Sequence, residues 1–266
     1  RGEAWVYDCV RRQDPALFRR IAAHVAAGRW EVTGGWWVQA DVNIPTEAAL
    51  RKTIARGQAW FRRAMNLRRF PVAYLVDSFG HGPYLPRLLQ EAGQDYFVFM
   101  RPMPHEQALP SSLFRWRSPD GHEVLTFRIP GGYLSADTDL TGKIKNALEN
   151  MPRGVNHVMC FYGVGNHGGG PTRKMAEWIM AHRDFAPGVR VEFSTTARFF
   201  EAVKKDVKRV RRPTSGDQTC SPPPVSLISR IFFRKAGNQG VHRLMICGKK
   251  IACTIKTGTV ELIKAV

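Results

Sequence analysis

Two short stretches of the sequence combine an apolar run with a side chain that can do chemistry. Residues 73–76 are apolar and are followed by Asp77 and then Ser-Phe-Gly-His-Gly. A second apolar run leads into the glycine-rich segment 163–170, which contains His167. Since α/β folds keep their chemistry at the carboxyl ends of strands, Asp77 and His167 are predicted to face the same edge. An alternative role for Asp77 is to cap the helix predicted near Pro83.

A glycine- and tryptophan-rich stretch, residues 34–43, precedes both of these stretches. It contains the adjacent Trp36 and Trp37, followed by Asp41 and Asn43. Indole rings next to polar side chains are typical of the wall of a sugar pocket, where the rings cover apolar sugar faces. The alternative is that both tryptophans fill the core.

Helices and strands must position these residues, and the sequence predicts that they alternate. Apolar periodicity and cap residues predict helices near 15–27, 46–65, 85–92, 141–150, 174–182 and 197–203. Asp14 is predicted to cap the first of these helices, and Thr46 is predicted to open the second. Strands are predicted at 30–33, 73–76, 96–100, 157–161 and 190–193.

Two groups of these elements have a predicted topology. The strand before Asp77, the helix after it and the strand at 96–100 form a βαβ unit, so the two strands are expected to be parallel. The Ser-Pro-Asp-Gly turn at 118–121 predicts a hairpin between 114–117 and 123–129, interpreted as lying at the surface.

The composition limits the class of protein. The 266 residues can bury a full core, and we expect a cytoplasmic protein because the sequence contains neither a membrane-span pattern nor a signal-peptide pattern. Five cysteines without paired spacing indicate neither a disulfide framework nor a thiolate zinc site.

The net charge of +18 is distributed unevenly. Residues 201–266 hold 14 Lys and Arg against 4 Asp and Glu, so this segment carries +10 of the total. The excess therefore belongs to one segment, which contains neither interleaved aromatics nor a nucleic-acid-binding motif. A basic nucleic-acid-binding protein is an alternative that the sequence disfavours.

Three motifs in this order resemble glycoside hydrolase family 38, the α-mannosidases, over about residues 5–204. They are Gly28-Arg29-Trp30-Glu31-Val32 with residues 34–43, then Asp77-Ser78-Phe79-Gly80-His81, and then the glycine-rich segment continued to Thr172. The resemblance implies a partial, parallel-stranded β/α barrel of the seven-stranded glycoside hydrolase/deacetylase type. We therefore expect a catalytic barrel over 1–204 and a divergent basic tail over 205–266.

The resemblance also implies a chemistry and a set of site residues. It implies zinc-dependent, retaining hydrolysis of a mannose-containing glycan or a small α-mannoside. Asp77 resembles the family's nucleophile, which also binds Zn²⁺, and His167 resembles a second zinc ligand. Arg101 and Tyr133 resemble pocket residues, and Trp36 is predicted to contact the sugar. His81 is interpreted as a group behind the ligands or at the surface.

The sequence departs from the family pattern in two places. A zinc site takes about four ligands, and the family draws two from a His-x-Asp pair that is expected before residue 1. The general acid is expected after about Lys205, where matching stops. We interpret 205–266 as either a native basic tail or the product of a changed reading frame, with little order. We expect little activity from this chain, and a non-catalytic sugar- or metal-binding barrel is the alternative. The sequence leaves homo-oligomer formation open.

Overall fold

A computed structural model describes residues 3–109, 111–136, 138–165 and 169–207. The predictions for His167 and for residues 208–266 therefore lie outside the described residues. Contacts divide the described chain into two compact units. The first contains residues 3–128, 152–157 and 195–207, and the second contains 129–151 and 158–194, each without the gaps given above.

The first unit begins with three helices: α1 Ala4–Gln13, α2 Pro15–Ala26 and α3 Glu47–Met65. The sequence did not predict α1. The predicted cap of α2 is confirmed, because the Asp14 carboxylate accepts a hydrogen bond from the Leu17 amide at 2.9 Å. Thr46 caps α3 in the same way, through the Ala49 amide at 3.3 Å.

A four-stranded mixed sheet follows in the first unit. Its strands are β1 Val72–Leu75, β2 Tyr96–Phe99, β3 Leu113–Arg117 and β4 Glu123–Arg128. Helix α4 Leu85–Glu91 connects β1 to β2. The strand order is β1-β2-β4-β3, and the predicted parallel pairing of β1 with β2 is confirmed. The predicted seven-stranded barrel is not confirmed, since the main sheet of the described residues has four strands.

The hairpin of β3 and β4 is confirmed, but its predicted surface location is wrong. β4 pairs with β3 on one side and runs parallel to β2 on the other, so it is an interior strand. Val124 and Phe127 are fully buried, and Thr126 between them is buried too. Such a continuous buried run is typical of strands covered on both faces of a sheet.

The second unit contains α5 Thr141–Glu149, α6 Arg173–Ala181 and a short antiparallel pair, β5 Asp184–Ala186 with β6 Val189–Arg190. The two helices agree with prediction. The strand predicted at 157–161 is absent from the described structure, and the one predicted at 190–193 is reduced to two residues. Leu140, Ile144 and Ile179 form the small core of this unit.

The first unit ends with α7 Thr196–Val207. Residues 30–33, predicted as a strand, have no regular structure. The Glu31 carboxylate instead accepts hydrogen bonds from the Thr196 and Ala197 amides, both at 3.0 Å, and from the Thr33 and Thr196 hydroxyls. Glu31 thus caps α7 from a distant part of the chain. None of the described helices is long and apolar enough to cross a membrane.

Candidate active site

Asp77 lies just beyond the carboxyl end of β1. The strand ends at Leu75, and Asp77 is half-buried in the loop that follows. Helix α4 begins only at Leu85, and its N-cap position is occupied by Tyr84. The helix-cap alternative for Asp77 is therefore wrong, and its carboxylate is at the strand end, where α/β folds carry out chemistry.

The loop that begins at Asp77 is bound to the segment containing residues 40–43. The Ser78 hydroxyl donates to the Ala40 carbonyl at 3.0 Å, and the Tyr84 hydroxyl donates to the Val42 carbonyl at 2.6 Å. These two bonds place residues 40–43 beside the Asp77 loop. The polar residues that follow the two tryptophans in sequence are thereby brought to this site.

Phe79 and Arg101 form the open part of this site. The Phe79 side chain is 49% exposed, which is unusual for a large apolar ring, and Arg101 Cζ lies 4.9 Å from its centroid. Arg101 follows β2, whose carboxyl end shares an edge with that of β1 because the strands are parallel. The structure thus brings the predicted Arg101 to the Asp77 loop. Phe79 was missed, although an aromatic ring between Asp77 and two glycines was a visible signal.

His81 supports Arg101 from within the protein. Its side chain is 3% exposed, and its Nε2 lies 2.9 Å from the Arg101 carbonyl oxygen. Burial lowers the pKa of His81 to about 4, although the Arg101 carbonyl and the charge of Asp41 oppose this shift. The ring is therefore neutral near pH 7 and donates through Nε2. The surface interpretation of His81 is wrong because the ring is buried, and the interpretation that it lies behind the ligands stays a prediction.

Trp36 is a core residue in this structure. It is 3% exposed, packs in the main apolar cluster of the first unit, and donates from Nε1 to Gln94 Oε1 at 2.7 Å. This burial favours the core alternative over contact with a sugar. The neighbouring Trp37 is half-buried under the guanidinium of Arg56, whose Cζ is 3.9 Å from the ring centroid.

Tyr133 belongs to the second unit, where its backbone is fixed from both sides. The Lys143 ammonium donates to the carbonyls of Gly132 and Leu134 at 2.8 and 2.7 Å. Burial lowers the pKa of Lys143. The Tyr133 side chain is half-buried, and its predicted contact with substrate stays a prediction.

A metal centre is not assembled by the described residues alone. Among them, no group of three or more His, Cys, Asp or Glu side chains is placed to hold a metal ion. His167 lies outside the described residues, so its predicted approach to Asp77 stays a prediction.

Parallel strands that present a carboxylate, an arginine and an exposed ring at their carboxyl edge define an α/β domain with a candidate carbohydrate site. Comparison with known families identifies the domain. Residues 3–221 match the family described as "Glycosyl hydrolases family 38 N-terminal domain". The chain belongs to this family, and the resemblance seen in its motifs is confirmed.

Curated relatives are α-mannosidases. The chain is 29% identical over 205 residues to alpha-mannosidase G of Dictyostelium discoideum, covering 76% of this chain and 19% of that protein. It is 26% identical over 213 residues to alpha-mannosidase 2C1 of Homo sapiens, covering 79% of this chain and 20% of that protein. The chain therefore spans about a fifth of the length of these relatives.

Solved structures share the fold. An alpha-mannosidase from Enterococcus faecalis V583 superposes with a TM-score of 0.67 at 16% identity, covering 77% of this chain and 24% of that chain. A 4-alpha-glucanotransferase from Thermococcus litoralis superposes with a TM-score of 0.51 at 14% identity, covering 75% of this chain and 31% of that chain. At these identities the likeness concerns the fold alone.

Proposed function

We propose that this chain is part of the catalytic domain of a zinc-dependent, retaining α-mannosidase. The observation that carries the proposal is the position of Asp77 at the carboxyl end of β1, next to the exposed ring of Phe79 and the guanidinium of Arg101. Membership of family 38 and α-mannosidase relatives support the substrate class. The parallel strands β1, β2 and β4 support a complete domain built as a seven-stranded β/α barrel.

Each residue has a separate role in this proposal. Phe79 presents an apolar face on which a sugar ring can stack, and Arg101 holds that face and adds positive charge. A carboxylate oxygen of Asp77 attacks the anomeric carbon, and the bond from that carbon to the leaving oxygen breaks. The leaving oxygen takes a proton from a second carboxyl group, which retaining enzymes place about 5 Å away. Water then hydrolyses the glycosyl ester and regenerates Asp77.

Zinc would supply Lewis-acid polarisation of sugar hydroxyls in the complete site. Asp77 and His167 are the residues of this chain that we propose as ligands. A carboxylate and an imidazole are suitable donors for Zn²⁺, but two ligands fall short of the usual four. We therefore expect weak zinc binding by this chain.

Zinc binding tests the ligand assignment without requiring turnover. Isothermal titration of the purified chain should show weak binding that Asp77→Asn and His167→Asn each reduce by about tenfold or more. The control is Asp184→Asn, which changes an exposed carboxylate of the second unit. Equal zinc affinity in all four proteins would remove the ligand assignment.

Hydrolysis of 4-nitrophenyl α-mannoside tests the nucleophile. We expect low turnover by the parent chain. The turnover rate should fall by about 10³-fold or more in Asp77→Asn and should be unchanged in Asp184→Asn. Turnover that persists unchanged in Asp77→Asn would overturn the mechanism. Binding of zinc or mannoside without turnover in any variant would instead indicate a non-catalytic sugar- or metal-binding domain.

A further inference from the structure

The ring of His81 is held in one place by aromatic side chains. It is 3% exposed, and it packs edge-on against Phe97, Phe99 and Trp116, whose ring centroids are 5.3, 5.2 and 6.1 Å away. Phe97 and Phe99 lie two residues apart in β2, so both rings project from the same face of that strand. The position of His81 is therefore fixed by the strand that leads to Arg101.

One hydrogen bond joins this ring to the backbone that follows β2. His81 Nε2 lies 2.9 Å from the Arg101 carbonyl oxygen. A carbonyl oxygen only accepts, so Nε2 carries the proton and donates. Leaving a donor on a buried ring unpaired is costly, which favours this one arrangement. The bond therefore ties the loop that begins at Asp77 to the segment after β2.

The exposed ring of Phe79 stands on the same loop, two residues before His81. Phe79 is 49% exposed, and Gly80 separates it from the buried histidine. The space beside Gly80 is occupied, because the Asn43 side-chain nitrogen would lie 3.1 Å from a Cβ atom at this position. The backbone that carries the Phe79 ring is thus held by the packing of Asn43 and by the hydrogen bond of His81.

Arg101 contacts this loop twice. Its Cζ lies 4.9 Å from the Phe79 ring centroid, and its backbone carbonyl accepts from His81. An arginine side chain is long and flexible, so ordering its guanidinium over a ring costs conformational entropy. Because the His81 bond holds the Arg101 backbone beside the loop, it reduces the range of positions that the guanidinium can take.

We propose that His81 is a positioning residue, whose bond to the Arg101 carbonyl holds the Arg101 guanidinium over the Phe79 ring. His81 is too deeply buried to touch a substrate itself. The exposed ring and the guanidinium then form one fixed surface beside Asp77 on which a sugar can stack. This consequence for sugar binding rests on the proposed function, whereas the position of Arg101 is measurable without a sugar.

The Nε–Hε resonance of Arg101 reports on this position, because the current of an aromatic ring shifts the protons above its face. Arg101→Lys identifies the peak by its absence, and Phe79→Leu removes the ring and gives the unshifted position. His81→Phe keeps a buried ring without the donor, and His81→Gln keeps an N–H donor without the ring. We expect the Arg101 peak to lose most of its ring-current shift in His81→Phe and to retain most of it in His81→Gln.

The matched control is His24→Phe, which changes a half-buried histidine of α2 in the same unit. It should leave the Arg101 peak at its position in the parent chain. An Arg101 peak that does not move in His81→Phe would overturn the proposal, and so would a parent chain whose peak already lies at the Phe79→Leu position.

The parent chain provides a second measurement if His81→Phe does not fold. A long-range ¹H–¹⁵N spectrum of the histidine rings shows which nitrogen of His81 carries the proton, and the His81 peaks are those absent from His81→Gln. We expect a proton on Nε2 together with a ring-current-shifted Arg101 peak. A ring protonated on Nδ1 alone could not donate to the Arg101 carbonyl, and this result would overturn the proposal.

Binding of methyl α-mannoside, followed by saturation-transfer NMR, connects the positioning to the proposed function. We expect the affinity to fall about fivefold in His81→Phe and to recover in His81→Gln. Zinc affinity, which depends on Asp77 in the proposed function, should be the same in both variants and in the parent chain. Equal mannoside affinity despite a displaced Arg101 peak would overturn the role of His81 in sugar binding.

The two measurements separate failure of this proposal from failure of the proposed function. If the Arg101 peak moves as expected and none of the chains binds mannoside, His81 positions Arg101 and the proposed function is wrong. If the mannoside binds equally well to the parent chain and His81→Phe while the Arg101 peak stays in place, the proposed function stands and His81 is not a positioning residue.

Discussion

The indole Nε1 of Trp36 donates to the side-chain oxygen of Gln94 at 2.7 Å in the core of the first unit. The Gln94 amide nitrogen in turn donates to the carbonyl of Gly34 at 2.8 Å and lies within 3.4 Å of the carbonyls of Phe70 and Val72. One fully buried side chain thus joins an irregular segment to the start of β1. This hydrogen-bond network explains how the segment containing Gly34 and Trp36, which does not pair with a strand, stays fixed beside the sheet.

Replacing Gln94 with Met keeps the approximate volume but leaves the Trp36 donor and the Gly34 carbonyl without this partner. We expect the free energy of unfolding to fall by about 2–4 kcal/mol. Urea denaturation followed by circular dichroism measures the change. The control is Gln13→Met at an exposed position, which should stay within about 0.5 kcal/mol of the parent chain. Equal stability of the two variants would contradict the network.

Gly57 lets α3 approach the backbone that follows Gly35. A Cβ atom added there would lie 2.3 Å from both Trp36 C and Trp37 N, and the Trp37 amide donates to the Thr53 carbonyl at 3.1 Å. Alanine normally stabilises a helix by up to about 1 kcal/mol over glycine. We expect Gly57→Ala to destabilise the chain by about 2 kcal/mol or more, because backbone atoms must move.

Gly142 in α5 is the matched control for this substitution, since a Cβ added there meets no atom within 4 Å. Gly142→Ala should leave the chain as stable as its parent or raise its stability by up to about 1 kcal/mol. Thermal melting of both variants makes the comparison. A Gly57→Ala chain that melts as high as Gly142→Ala would show that α3 is not packed this closely.

The carboxylate of Glu31 joins the first motif of the sequence to the start of α7 through the amides of Thr196 and Ala197. Glu31→Gln keeps the shape but replaces one acceptor oxygen with a donor that faces other donors. We expect a loss of about 1–2 kcal/mol in the free energy of unfolding. The exposed Glu192→Gln serves as control, and a loss of the same size there would assign the effect to charge alone.

Stability should depend on pH through His81. Its pKa falls from 6.5 to about 4 on folding. The unfolded chain therefore protonates this ring below pH 6.5, whereas the folded chain protonates it only below about pH 4. The contribution of the neutral His81 ring to the free energy of unfolding is therefore fully present above pH 6.5. It is lost as the pH falls toward 4, by about 3 kcal/mol in total. Urea denaturation between pH 7.5 and 4 in wild-type and His81→Phe chains measures this contribution, which the variant should lack. The exposed His105→Gln should keep it.

Local signals predicted the elements that local chemistry determines. The caps at Asp14 and Thr46 were predicted because each side chain bonds an amide three residues later in its own helix. The interior position of β4 was not predicted, because its pairing with β2 depends on a partner strand that sequence periodicity does not reveal. Residues 30–33 resemble a strand, but Glu31 bonds to a helix 165 residues away instead of to a ladder.

The candidate site was predicted in part, because some of its residues follow signals in the local sequence. Asp77 and Arg101 follow parallel strands, and strand ends are visible where an apolar run stops. Exposure was predicted wrongly for the aromatic rings: Trp36 was expected to contact the sugar and is buried, whereas Phe79, which lies between Asp77 and two glycines, was missed and is exposed. Tertiary packing decides which ring fills the core and which ring is left for a ligand.

Phe79 should contribute to sugar binding if Asp77 marks the sugar site. Its ring is 49% exposed and is held by Arg101 at 4.9 Å, so it offers a fixed apolar face beside the proposed nucleophile. We expect Phe79→Ala to weaken binding of 4-nitrophenyl α-mannoside about tenfold and Phe79→Trp to retain it, as measured by saturation-transfer NMR. Phe193→Ala removes an exposed ring of the second unit and is the control for general loss of aromatic surface. Equal binding by Phe79→Ala and the parent chain would move the sugar site away from the Asp77 loop, whereas equal losses in Phe79→Ala and Phe193→Ala would show that the mannoside adheres to exposed rings in general.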